Sequence, residues 1–208
     1  IVKKIGANVF NASNYSSSTR QYIDAVTKVV IPASIESIGE RAFYRMANLN
    51  TVIIEGDNVV IGKEAFYNCP NLTTVVIKGQ NVEIGEKAFY ECPLLSTVTI
   101  EKYVSKFGTS ALGYCKSLKS IDLKSGLTEI GTTAFTGTGL ESVVIPKTVT
   151  NMNRMAFSSC ESLKSATFEC NNISSIGEYV FTNCKALVSV KLPTKITSIP
   201  DYAFNNCQ

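Results

Sequence analysis

Ile61-Gly62-Lys63-Glu64-Ala65-Phe66-Tyr67-Asn68-Cys69-Pro70-Asn71-Leu72-Thr73-Thr74-Val75-Val76-Ile77 decides the fold, because its pattern, Ile-Gly-x-x-Ala-Phe-x-x-Cys-x-x-Leu-x-x-Val-x-Ile, recurs along the whole chain. Aligned on the aromatic position, the copies fall at Phe10, Phe43, Phe66, Phe89, Leu112, Phe135, Phe157, Phe181 and Phe204, with steps of 33, 23, 23, 23, 23, 22, 24 and 23 residues. A period of this length implies units that stack as a solenoid or array. One such unit holds too few apolar side chains to fold alone, whereas stacking completes its backbone ladder and covers both of its faces.

Within each copy one segment alternates apolar and polar residues with period two. Val52/Ile54, Val75/Ile77, Val98/Ile100, Ile121/Leu123, Ala166/Phe168 and Val190/Leu192 are the inward pairs of short β-rich runs bounded by Gly, Asn, Lys or Pro,. Strands recurring this often leave no room for a crossover helix, so neighbours stack in parallel about 4.8 Å apart. The pattern predicts strands centred on 29–31, 52–54, 75–77, 98–100, 121–123, 143–145, 166–168 and 190–192 in one continuous sheet. In the return arm the apolar positions Ile61, Ala65, Phe66, Cys69 and Leu72 suit short helical or 3-10 turns better than a strand,.

Gly6, Gly39, Gly62, Gly85, Gly108, Gly131 and Gly177 share one place in the repeat, and Asn153 and Pro200 fill it in two other copies. Proline holds φ near −65°. The place is therefore reachable with negative φ, and its glycine answers to steric crowding in a tight turn.

Composition excludes several functions. The 208 residues are 45% hydrophobic with a net charge of +3 and no run of Lys or Arg, so the electrostatic footprint of a nucleic-acid binder is missing,. No apolar stretch reaches the ~20 residues that a membrane helix needs. The period is unbroken from 1 to 208, which predicts a single domain of about nine repeats. The chain opens at Ile1 inside the pattern and stops at Gln208 just after an Ala-Phe-x-x-Cys, so truncation at both ends is expected,. That cut should leave apolar surface open around Ile199, Tyr202 and Phe204.

The consensus resembles the BspA-like, or Treponema pallidum-type, leucine-rich repeats of bacterial surface proteins. Ile35-Glu-Ser-Ile-Gly-Glu-Arg-Ala-Phe43 and Val149 to Phe157, each followed by the positions for Cys and Leu, carry the likeness over almost the whole chain. Departures are local: Phe107 and Leu112 replace Ile and Phe in one copy, Met46 and Thr138 replace Cys, Gly137-Thr-Gly139-Leu140 is one residue short, and the first copy carries about ten extra residues within Asn11 to Asp24. The resemblance implies an α/β right-handed leucine-rich repeat solenoid with a concave parallel β-sheet and short turn, 3-10 or helical return arms. It also implies export to a cell surface and a role in adhesion.

Candidate chemistry is sparse. Cys69, Cys92, Cys115, Cys160, Cys184 and Cys207 occupy one repeat position, three residues after the aromatic anchor, where adjacent rungs stack. Their vectors run side by side, and Met46 and Thr138 interrupt the series, so the reading is buried thiols acting as small apolar fillers. Cys170, just past a strand, is the thiol expected near solvent. There is no histidine and no Cys-x-x-Cys, which removes histidine catalysis and the usual zinc spacings,. The chain is read as no enzyme, with no cofactor and no metal.

The binding reading rests on residues pointing away from the core. Val30, Ile53, Val76, Thr99, Asp122, Val144, Thr167 and Lys191 form one outward column, and Thr51, Thr74 and Thr97 flank it. Three successive apolar members, Val30, Ile53 and Val76, make a candidate partner patch, although β-branched residues also simply suit strands. Glu55, Lys78, Glu101 and Lys124 alternate in sign along the rim, as stabilisation would require. The function expected is a cell-surface or secreted module adhering to a host protein, a glycan or another cell. The alternative is a repeat stalk that presents another domain, for which a uniformly polar face is expected.

Overall fold

The computed structural model describes residues 2–173 and 175–207. Each copy of the repeat is one rung of a parallel β-solenoid. The alternating segments form Lys28–Ile31, Thr51–Ile54, Thr74–Ile77 and Thr97–Ile100 in a four-stranded sheet, and Ser142–Ile145, Ser165–Phe168 and Ser189–Lys191 in a three-stranded sheet. Every pairing is parallel, with repeat positions opposite one another: Val52 lies between Val29 and Val75, and Ala166 between Val143 and Val190.

The single continuous sheet expected from the period does not form. Ser120–Lys124, which contains the predicted strand at 121–123, joins neither sheet. Its sequence explains the break. Ser-Ile-Asp-Leu-Lys holds one β-branched residue, where Thr97–Ile100 holds four and Ser142–Ile145 three, and Asp and Lys are poor strand formers,. Asp122 also pairs with Lys124 along its own segment.

A second sheet was not expected. Lys4–Ile5, Ser37–Ile38, Val60–Ile61, Val82–Ile84, Val104–Phe107, Glu129–Ile130 and Asn151–Met152 make a seven-stranded parallel ladder just before the glycine position. Five of these strands have two residues, too short to display an alternation, so period two does not reveal them; Val82–Ile84 and Val104–Phe107 are longer. Past the glycine the arm is a run of turns, with Ala65 N–H donating to Gly62 O at 3.3 Å and Tyr67 N–H to Glu64 O at 3.1 Å. Here the bonds between rungs run forward, Phe66 N–H to Ala88 O at 2.8 Å, whereas at the glycine position the bond runs backward, Gly62 N–H to Ile38 O at 2.8 Å. Regular helix among the described residues is confined to the extra residues of the first copy, as the 3-10 turn Ala12–Asn14 and the α-helix Ser17–Asp24.

The glycine position is crowded as expected. A Cβ on Gly85 would lie 2.4 Å from the Ile61 carbonyl oxygen of the preceding rung, whereas one on Gly6, the first of the series, would meet nothing closer than Val9 Cγ2 at 3.4 Å. The row serves close approach between backbones; positive φ among the glycines occurs elsewhere, at Gly126 and Gly137.

The aromatic anchors fill the interior as one column. Phe43, Phe66 and Phe89 stack with centroids 4.9 and 5.1 Å apart, and Phe135, Phe157, Phe181 and Phe204 continue it at 5.1, 5.9 and 5.7 Å. Leu112 interrupts the column, and on that rung Phe107 supplies the ring that meets Phe135, 4.9 Å away. At the other end of the chain Ile199 and Tyr202 are exposed and Phe204 is half-buried.

Candidate functional site: the sheet face

The two sheets of longer strands put the outward residues in register. Val30, Ile53, Val76 and Thr99 are directly opposite one another in turn, as are Lys28, Thr51, Thr74 and Thr97 beside them. Val144, Thr167 and Lys191 form a second row. Asp122 belongs to neither, since it sits on the unpaired segment between the sheets. None of these residues is buried: Val30 and Val144 are 45% and 48% exposed, and Ile53 and Val76 are half-buried by their in-register neighbours. Alternation drives this arrangement, because Val52, Ile54, Val75 and Ile77 on the other side of the same strands are fully buried,.

Polar partners on the face are mostly local. The Thr51 hydroxyl donates to Asn50 Oδ1 at 2.9 Å, and the Thr73 and Thr74 hydroxyls lie 3.3 Å apart. Along the rim Lys78 reaches Glu55 at 3.2 Å, but Lys124 turns to Asp122, so the alternating charges form one pair across rungs and one within a rung. Two shallow depressions flank Ser120–Lys124: one of about 520 Å³ toward Val144, Pro146 and Glu169, and one of about 340 Å³ toward Thr97–Ile100. The sequence reading missed them. The signal available was the polar, weakly β-branched Ser120–Lys124 run.

The thiols are not a reactive site. Cys69, Cys92, Cys115, Cys160 and Cys184 are buried and unbridged. Each donates its S–H to the carbonyl of the aromatic anchor on the preceding rung, as from Cys92 Sγ to Phe66 O at 3.3 Å and from Cys160 Sγ to Phe135 O at 3.1 Å. Small size alone therefore does not explain the column; a weak donor is placed against an inward carbonyl. Thr138, which replaces Cys, bonds Phe135 O of its own rung at 2.9 Å. Burial pushes the Cys160 thiol up to about 11 and holds Cys69 and Cys115 well above the ordinary value. Thiolate, the reactive form, is thereby suppressed. The expectation that Cys170 lies near solvent is wrong. The segment after Phe168 folds inward and buries Cys170 together with Ile173. No group of three Cys, Asp or Glu among the described residues is placed to hold a metal ion.

On the return arm Tyr44, Tyr67 and Tyr90 stack in a second, half-buried ladder, with centroids 5.0 and 5.5 Å apart. Burial, and then the hydrogen bond from its hydroxyl to Glu91 at 3.1 Å, pushes the Tyr67 phenol up to about 12. This ladder is another ordered row of large side chains on the surface. Its signal in the sequence is tyrosine directly after phenylalanine in three consecutive copies.

With the solenoid, its register and its glycine row in place, comparison with known proteins settles the family. The model of the BspA type leucine-rich repeat region matches residues 3–136 and 82–208, six copies in all. The chain belongs to the BspA-type leucine-rich repeat family. Among solved structures this BspA-type chain is similar to a leucine rich cell surface protein from Faecalibacterium prausnitzii A2-165, at 27% identity over 99% of this chain and 69% of that one, with a TM-score of 0.59. It is also similar to the T. pallidum leucine-rich repeat protein, at 26% identity over 72% of each chain, with a TM-score of 0.65. No curated protein matches it. No helix among the described residues is long and apolar enough to cross a membrane.

Proposed function

We propose that this chain is a non-catalytic binding module of a bacterial cell-surface or secreted protein, and that its sheet face holds an extracellular protein, a glycan or the surface of another cell. The observation that carries the reading is the row Val30, Ile53 and Val76. These apolar side chains stand in register on the solvent side of a sheet whose other side already supplies the core. A rigid pleated surface with apolar centre and hydroxyl flank gives a partner buried area together with orienting polar contacts, at little entropic cost to the module. The similarity to a cell surface protein of F. prausnitzii supports the location. Polar Thr99, Thr167 and Lys191 in the later rungs support the second reading, a stalk.

The test is a binding screen of the purified chain against immobilised extracellular-matrix proteins, printed glycans and fixed cells, run beside Ile53→Asp/Val76→Lys. Opposite charges are chosen because the two positions are directly opposite on neighbouring strands, where like charges would destabilise the sheet,. At least about a ten-fold loss of binding is expected, equal to ~1.4 kcal/mol, with the thermal midpoint nearly unchanged. Undiminished binding by the folded variant would move the site off this row. Capture of nothing by the parent chain would leave the stalk.

A further inference from the structure

Several ladders run the length of the solenoid, and they break at the same rung. The face sheet stops at Thr97–Ile100 and resumes at Ser142–Ile145. The phenylalanine column changes from rings within 2° of parallel, Phe66 on Phe89, to a contact tilted by 55°, Phe107 on Phe135. The tyrosine stack turns from 15° at Tyr67–Tyr90 to edge-on, 78°, at Tyr90–Tyr114. Thr138 then interrupts the cysteine column on the following rung.

What stays unbroken lies away from the sheet face. Val104–Phe107, Glu129–Ile130 and Asn151–Met152 pair in register, Val82–Ile84 stays paired with Val104–Phe107 across a one-residue bulge at Ser105, and in the arm Leu112 N–H still bonds Ala134 O at 2.8 Å. Ser120–Lys124 is tied at both ends: Glu141 N–H donates to Lys119 O at 3.0 Å, and Thr128 N–H to Ser105 O at 2.9 Å. Between the ties this backbone makes no ladder bond to either neighbouring strand, and the depressions of about 340 and 520 Å³ open on its two sides.

We propose that Ser120–Lys124 is a hinge segment that pairs in turn with Thr97–Ile100 and with Ser142–Ile145, so that the sheet face flexes at this rung about the continuous seven-stranded sheet. The ladder groups of a solvent-facing segment are hydrated, so exchanging water for a strand partner on either side is nearly balanced. The ties at Lys119 and Thr128 limit the movement to a local swing of one rung. Pairing on one side closes one depression and widens the other, which changes the angle between the two halves of the face. The inference stands on backbone pairing and ring geometry, independently of what the face binds.

Cysteine pairs test it in the full chain carrying Cys207→Ser. Thr99→Cys with Asp122→Cys reports pairing on one side, and Asp122→Cys with Val144→Cys reports the other. Paired parallel strands bring such Cα atoms to about 4.8 Å, and because these side chains are exposed and free to turn toward each other, unlike the packed native thiols, the pairs are within disulfide range,. Ile53→Cys with Val76→Cys, already opposite, is the control. Under mild oxidation both hinge pairs should cross-link in more than about half of the molecules. Failure of both while the control closes would make the gap static, and closure of one alone would make the pairing fixed; either result overturns the hinge. Asp122→Val, which restores a β-branched residue, should slow amide exchange at Ile121 and Leu123 at least about ten-fold. An unchanged rate would also overturn it.

Discussion

Single side chains do their work through repetition. Phe89 stacks on Phe66 and is almost completely buried, so Phe89→Ala removes a ring that neighbouring rungs cannot replace. A loss of about 3 to 5 kcal/mol in a denaturant titration is expected, the usual cost of deleting a buried phenyl group. A loss under ~1 kcal/mol would mean the column does not carry the stack. The thiols give a pH signature. Cys160 is raised from the ordinary 9.0 to about 11 and other buried members of the column are raised with it, mainly by burial. Between these values the unfolded chain loses thiol protons that the folded chain keeps, so the folded state binds more protons and its stability falls as pH rises. The thiol contribution to the urea midpoint should be constant well below pH 9 and decline toward pH 11,. A rise in that window would contradict the buried, protonated assignment. At this scale the sequence was informative about the anchors, since alignment on the repeat identifies Phe, Leu and Cys as interior. It was silent on the S–H to carbonyl bonds and misleading on Cys170, because both depend on how the chain turns after the strand.

The strands of the face, such as Thr74–Ile77, announce themselves by alternation, and seven of the eight form where the pattern places them. Strands of two, such as Val60–Ile61, carry no period and become visible only when stacked. Ser120–Lys124 shows the opposite failure. The repeat alignment assigned it a strand that its own composition argued against, and the composition prevailed. The glycine row sets the spacing of the shorter ladder. Gly85→Ala should destabilise by about 3 kcal/mol, as forcing a methyl into packed surroundings does, because its Cβ would lie 2.4 Å from Ile61 O. Gly6→Ala, with 3.4 Å to its nearest neighbour, should change stability by less than ~0.5 kcal/mol,. Equal effects in thermal melts would show that the row serves backbone freedom and not close approach.

Over the whole molecule, most of the architecture was legible because a period of about 23 residues constrains every rung at once. The outward column was legible for the same reason. Which part of it works was not, since alternation tells a residue's side and not its partner. On the proposal made above, binding belongs to the sheet face and not to the tyrosine ladder of the return arm. The measurement that separates them is an amide-exchange footprint of the chain with and without the surface it captures. Added protection is expected at 51–54, 74–77 and 97–100, with 41–45, 64–68 and 87–91 unchanged. Protection confined to the segments around Tyr44, Tyr67 and Tyr90 would contradict it.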